Sequence, residues 1–234
     1  MQAVIFAGGL GTRLRPLTDS VPKPMVPVNG KPFLEHELQL LCQSGIREFV
    51  LCVGYLGKVI QEYFGDGGKF GVRLEYSFDG DQPLGVAGAL KRAAPLLQDT
   101  FFATYGDSYL RADYSVIMEE FRRTQKLGMM LVYENHNAYG RSDLAVKDGL
   151  VTKYNKRNQT PDMVWINYGV SFLRKVALDI IPVDHKCYEE EFYGELIKRK
   201  ELLAKVVQTR FFEIGTLSAL KEFEEFLVHA EKNP

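Results

Sequence analysis

The chain has one tryptophan, three cysteines and a formal net charge of only −1 over 234 residues. Near neutrality excludes a general basic field for nucleic acid. No run of about 18 apolar residues occurs, so no transmembrane helix is expected. Met1-Gln2-Ala3-Val4 leads into an apolar segment without a charged n-region or cleavage pattern, so no secretory leader is expected. Cys42, Cys52 and Cys187 form an odd set without C-x-x-C spacing. They read as small buried hydrophobes in a reducing cytoplasm. Familiar catalytic signatures are missing too. There is no G-x-x-x-x-G-K-[ST] and no G-x-G-x-x-G. Gly169-Val170-Ser171-Phe172-Leu173 lacks the last glycine of a nucleophile elbow. His36-Glu37-Leu38-Gln39-Leu40 misses H-E-x-x-H by its final residue, and the other histidines are dispersed. All four read as structural or surface residues.

What is present alternates between strand and helix. Ala3 to Phe6 is a short apolar strand. Pro32 suits a first helical position, Leu34, Leu38 and Leu41 follow at helical spacing, and Gly45 ends that helix. Glu48 to Val53 reads as the next buried strand, and Val59, Ile60, Tyr63 and Phe64 as a helical face. After a glycine-rich loop (Gly65 to Gly71), Val72, Leu74 and Tyr76 alternate with polar residues, the period of a strand. A helix is predicted from Val86 to Ala94, and Thr100 to Tyr105 is a further strand ending at Gly106-Asp107. Beyond this, Asp148-Gly149 between two apolar segments signals a hairpin. Trp165 to Leu173 reads as a strand, and helices are predicted at Val176–Ile181, Glu190–Leu203 and Leu217–His229. Strands separated by helices imply an α/β domain with a mainly parallel sheet covered on both faces. Ligands of such sheets bind beyond the carboxyl ends of the strands, where Gly8 and Asp107 both fall.

The segment with most to say is Ala7-Gly8-Gly9-Leu10-Gly11-Thr12-Arg13-Leu14-Arg15-Pro16-Leu17-Thr18-Asp19-Ser20-Val21-Pro22-Lys23-Pro24-Met25. Glycines let backbone N–H groups approach an anion closely, and Arg13 and Lys23 add full positive charge. Proline on either side of Lys23 limits where its ammonium points. This is a phosphate-handling loop.

The whole string, unbroken from Gly8 through Lys31-Pro32, resembles the signature of the sugar-1-phosphate nucleotidylyltransferases. The resemblance implies one Rossmann-like (GT-A-like) three-layer sandwich. Residues 1–130 would form a nucleotide-binding portion and 131–234 a smaller, mixed sugar-phosphate-binding portion with C-terminal helices. The absence of a hexapeptide repeat suggests the compact form of the family. The implied reaction is attack of a sugar 1-phosphate oxygen on the α-phosphorus of a nucleoside triphosphate, with pyrophosphate leaving. Positioning and charge stabilisation would supply the catalysis.

Within that reading, Arg13 stabilises the leaving pyrophosphate and Lys23 bridges the α-phosphate and the incoming sugar phosphate. Ala7, Gly8, Gly9, Gly11 and Thr12, with Pro83, Gly85 and Gly88 of the turn Gln82 to Gly88, would hold the nucleotide. That turn resembles the family's Pro-Leu-Gly-Thr-Ala-Gly, with Val86 in place of threonine. Asp107 would bind nucleotide-bound Mg²⁺ together with Glu213, which stands where the family usually has aspartate. Gly140, Asn155, Lys156, Asn167 and Gly169 resemble the sugar-phosphate elements, with Asn155 replacing a usual glutamate. The compact form is most similar to mannose- or heptose-1-phosphate guanylyltransferases. Uridylyl or cytidylyl transfer and a non-catalytic nucleotide-sugar sensor are the alternatives. Nucleic-acid and membrane partners are not expected, and assembly with further copies of the chain is left open.

Overall fold

A computed structural model describes residues 1–183 and 185–232, so residue 184 and the last two of the expected 131–234 portion lie outside it. The strand β1 (Gln2–Phe6) is followed by two 3-10 turns, 12–14 and 23–25, and by the two-residue strands β2 (Pro27–Val28) and β3 (Lys31–Pro32). Then come α1 (Phe33–Gln43), β4 (Glu48–Val53), α2 (Gly57–Phe64), β5 (Arg73–Phe78), α3 (Gly85–Ala93) and β6 (Thr100–Tyr105). The remainder comprises β7 (Ser108–Leu110), α4 (Tyr114–Arg123), β8 (Gly128–Glu134), β9 (Leu144–Lys147), β10 (Leu150–Tyr154) and β11 (Trp165–Arg174). It closes with α5 (Glu189–Lys198), β12 (Leu202–Val206), β13 (Phe211–Glu213) and α6 (Leu217–Lys232).

Nine strands form one sheet in the order β5-β4-β1-β6-β11-β8-β12-β10-β9. β5, β4, β1 and β6 are parallel neighbours, and only β10 and β11 run against the rest. Alternation along the strands sends side chains to two separate cores. Ala3, Ile5, Phe49, Leu51, Phe102 and Phe172 face α1, α2 and α4 on one side. Val4, Val50, Phe101, Met130 and Leu173 face α3 and α5 on the other. Both faces are buried, which is why these strands read as continuous apolar runs. A third cluster, including Leu14, Phe33, Tyr109, Ile214 and Phe223, seats α6 against the small β7–β13 ribbon.

Three differences from the sequence reading have physical causes. The predicted helix Glu190–Leu203 ends at Lys198, and Leu202–Val206 is a strand instead. Lys200 takes φ 57°, which breaks the helix and turns the chain into β12, where it pairs with β8. The segment Val176–Ile181 is a 3-10 stretch over Lys175–Ile180. Pro32 is the N-cap of α1 rather than its first helical residue. The helix α4, the interior strand β8 and the short strands β2, β3, β7 and β13 went unread. Asp113 starts α4 by accepting the Val116 N–H at 3.0 Å, a cap worth about 1 kcal/mol.

Candidate active site

The carboxyl ends of β5, β4, β1 and β6 open into a cavity of about 450 Å³. Phe6 to Leu10, Pro83, Gly85, Val86 and Gly106-Asp107 line it, as do Lys23, Asp79, Tyr105, Lys186 and Tyr188. A second cavity of about 350 Å³ adjoins it, bounded by Gly9 to Arg13, Lys23, Asp107 and Gly215. Gly9, Leu10, Lys23 and Asp107 are common to both, so the two spaces meet at these residues.

The loop after β1 is shaped by close backbone approach. A Cβ on Gly8 would sit 3.1 Å from the Gly54 backbone N, and one on Gly11 would sit 3.0 Å from the Thr18 methyl. Gly11 also takes φ 62°, which only glycine adopts without cost. The Thr18 hydroxyl donates to the Gly11 carbonyl at 2.8 Å and fastens the loop. Lys23 is buried among this backbone, and its ammonium pairs with the Asp107 carboxylate. An otherwise costly buried cation is thereby paired.

Glu213 and Asp107, far apart in sequence, are joined by backbone. Glu213 lies opposite Ser108 in the β7–β13 ribbon, and the Ile214 N–H donates to the Asp107 carbonyl at 3.1 Å. A Cβ on Gly215 would lie 3.0 Å from Glu213 Oε1 and 3.2 Å from Arg13 Nη2. Bare Gly215 therefore leaves room for the Arg13 guanidinium and the Glu213 carboxylate on either side of it, at the edge of the second cavity.

Beneath this floor, α1 buries Glu37. Burial first, and the nearby negative Asp107 second, push its carboxyl well above the usual range, against the Thr104 hydroxyl that donates to Oε1. Its Oε2 is buried without a hydrogen-bond partner among the described residues. Burial therefore favours the protonated form of this carboxyl.

The residues expected on the sugar side form a second polar cluster. The Lys156 ammonium pairs with Glu189, to which the Tyr105 hydroxyl also donates, and it lies 5.7 Å and 5.9 Å from the Tyr105 and Tyr154 ring centres. Asn167 Oδ1 accepts the Gly169 N–H at 2.8 Å, and its backbone N–H donates to Asp143 Oδ1 at 3.0 Å. A Cβ on Gly169 would lie 3.0 Å from the Tyr105 ring. Asn155 Oδ1 instead accepts the Arg157 and Asn158 N–H groups at 2.8 and 2.7 Å, an Asx turn that shapes its own loop. Gly140, at φ 114°, accepts Asn135 Nδ2 at 2.8 Å in the adjoining loop. Burial pushes the Asp143 carboxyl up to about 6, against the Asn167 N–H and Lys156.

Tyr105 lines the first cavity and touches the second cluster, so it joins the two. Gly88 is placed differently from the other expected nucleotide contacts. A Cβ there would sit 2.8 Å from the His185 carbonyl, so the 185–188 loop covers it, and Gly88 does not line the cavity. Gly85 lines the cavity, yet its missing side chain also admits the Cys187 carbonyl, 2.5 Å from a Cβ. Asp79, Tyr105, Asp143, Lys186 and Glu189 were missed. Only Asp79 carried a signal, an acid directly after a parallel strand. The histidines are as expected, with His36 bonded to the Val28 carbonyl at 2.8 Å and the others exposed on the surface.

The chain is similar to known proteins over most of its length. Residues 2–229 match the family model described as nucleotidyl transferase. The chain is 32% identical to the D-glycero-alpha-D-manno-heptose 1-phosphate guanylyltransferase of Campylobacter jejuni over 98% of this chain and 100% of that one. It is 30% identical to the mannose-1-phosphate guanylyltransferase catalytic subunit beta of Xenopus tropicalis, over 92% of this chain and 61% of that one. The chain thus spans the first relative fully and about three fifths of the second. Among solved structures, HddC from Yersinia pseudotuberculosis, complexed with GMP-PN, superposes with a TM-score of 0.79 at 26% identity, covering 97% of this chain and 99% of that one.

Proposed function

The chain belongs to the nucleotidyl transferase family as a sugar-1-phosphate nucleotidyltransferase, and from that premise we propose that it uses GTP and a manno-configured hexose or heptose 1-phosphate. The observation that supports the reaction is the Lys23–Asp107 pair where the two cavities join, with Arg13 on the wall of the second cavity and Glu213 beside Gly215. The family's reaction brings two anions together, and this corner offers two cations and two carboxylates.

The β1 loop holds the triphosphate through its backbone N–H groups, as glycine-rich turns hold anions. Arg13 faces the β- and γ-phosphates and steadies the negative charge that grows on departing pyrophosphate. Lys23 leaves Asp107 for the α-phosphate and draws the acceptor phosphate into line with it. On the far side of Tyr105, Lys156 exchanges Glu189 for the acceptor phosphate, while the Asn167 and Gly140 loops frame the sugar.

The donor set suits Mg²⁺, which favours a few carboxylates with phosphate oxygens and water rather than a closed protein cage. Asp107 and Glu213 are the carboxylates that would hold it, their backbones tied by the Ile214 N–H on the Asp107 carbonyl. When bound there, Mg²⁺ would offset charge on the triphosphate. No described helix is long and apolar enough to cross a membrane, and we place the reaction in the cytoplasm, where nucleoside triphosphates are kept.

The test is pyrophosphate release with GTP, UTP, CTP and dTTP against a panel of mannose, heptose and glucose 1-phosphates, with Mg²⁺ present. GTP with a manno-configured acceptor should give the highest kcat/KM. A stronger preference for UTP or dTTP would overturn the substrate assignment, and turnover with no pair would overturn the reaction itself.

A further inference from the structure

We propose that Asp79 and Lys186 read the nucleobase and select guanine. The inference rests on the nucleotidyl-transfer reading above and assigns the specificity of that site to two side chains.

Position comes first. Asp79 follows β5 and Asp107 follows β6, and the order β5-β4-β1-β6 puts three strand spacings between them. At about 4.8 Å per spacing this is roughly 14 Å along one cavity. With phosphates held at Lys23 and Asp107, the base must lie toward Asp79. The walls there are flat and apolar, from Ala7, Pro83, Val86 and Ala89.

Asp79 is fixed in place. Its N–H donates to the Val53 carbonyl at 2.9 Å, and its own carbonyl accepts Arg92 Nη1 at 2.6 Å. A Cβ on Gly54 would stand 3.2 Å from Asp79 Oδ2 and 3.1 Å from the Gly8 carbonyl. The carboxylate is therefore lodged against bare backbone at the ends of β4 and β1. Its Oδ2 accepts the Leu84 N–H at a long 3.4 Å, a weak tie that leaves acceptor capacity for a ligand. Lys186 lines the same cavity, its ammonium 5.1 Å from the Tyr188 ring centre.

An ionised carboxylate only accepts and an ammonium only donates. Guanine offers two adjacent donors, N1–H and the 2-amino group, beside an acceptor, O6. Those donors match the two carboxylate oxygens and O6 matches the ammonium. Adenine and cytosine place a ring-nitrogen acceptor beside their single amino donor. Uracil flanks its one N–H with two carbonyls. Each would set a lone pair against an Asp79 oxygen.

Calorimetric binding of GTP, ITP, XTP, UTP and CTP tests this. ITP lacks the 2-amino group, and the wild type should bind it roughly 10- to 100-fold more weakly than GTP, the effect of one charge-assisted hydrogen bond. Asp79→Asn should erase that ratio and raise XTP relative to GTP, because an amide N–H can meet the xanthine O2. Lys186→Met should weaken GTP about tenfold and leave the GTP-to-ITP ratio intact. Equal wild-type affinity for GTP and ITP would overturn the proposal without any variant. So would UTP or CTP binding as tightly as GTP, an unchanged ratio in D79N, or unchanged GTP affinity in K186M. Binding of no triphosphate at all would instead overturn the nucleotidyl-transfer reading on which the proposal stands.

Discussion

The two sides of the proposed site are built by different means. Around β1 the work is done by backbone, with Gly8 against Gly54, Gly11 in a left-handed turn, and Lys23 sealed among prolines. Around β10 and β11 it is done by side chains already engaged with one another, with Lys156 on Glu189, Tyr105 on Glu189 and Asn167 on Gly169. Each side also buries a reluctant acid, Glu37 on the first and Asp143 on the second. The difference teaches where damage should register. On the proposed reading, charge lost from the rigid side would be lost from the transition state. Charge lost from the paired side would be lost from acceptor binding, where Lys156 starts out paired with Glu189.

The largest effect expected is at Asp107. Asp107→Asn deprives Lys23 of its partner and the site of a carboxylate, and should lower kcat by on the order of 10³ with folding intact by circular dichroism. On the other side, Lys156→Ala should raise KM for the sugar phosphate roughly 10- to 100-fold and leave KM for the triphosphate alone. Equal changes in both constants would erase the distinction between the two sides.

Stability should separate them next. The folded Asp143 carboxyl, at about 6, lies above its unfolded value. The folded state therefore holds that proton more tightly. This contribution to stability is complete below about pH 4, the unfolded carboxylate value, and is lost as pH rises through 6. A shift of this size is worth up to about 3 kcal/mol. Asp143→Asn keeps an oxygen for the Asn167 N–H, so its thermal melts should lose less stability than the wild type between pH 4 and 7. Parallel pH curves would refute this.

The parallel β5-β4-β1-β6 part of the sheet was legible because Val4, Val50 and Phe101 belong to apolar runs bounded by turn residues, and that pattern survives without tertiary context. The loop around Lys23 was legible because glycine, proline and a cation at fixed spacing have few structural uses. Glu189 and Lys186 were not, because a charge at the start of a helix or in a loop is usually solvated, and only folding brings α5 to Tyr105. The strand β12 was hidden by Leu202-Leu203-Ala204, good helix formers that pairing with β8 overrides. Gly85 and Gly88 were read as nucleotide contacts, and the 185–188 backbone also packs against the space beside both.

The smallest effect isolates that last point. Gly85 and Gly149 share φ 73°, but a Cβ at Gly85 meets the Cys187 carbonyl at 2.5 Å while one at Gly149 meets nothing within 4 Å. Gly149→Ala should cost about 1 kcal/mol from its backbone conformation. Gly85→Ala should cost about 1–3 kcal/mol more through overpacking. Equal losses in urea melts would show that the 185–188 loop gives way freely.

The central claim is that Lys23 acts on the phosphates of the reacting pair and not merely as a tie for Asp107. Pyrophosphate release by folded Lys23→Ala, with GTP and the acceptor that the wild type prefers, tests it most directly. The expected kcat is lower than wild type by roughly 10²–10³. A folded variant that turns over at the wild-type rate would contradict the account.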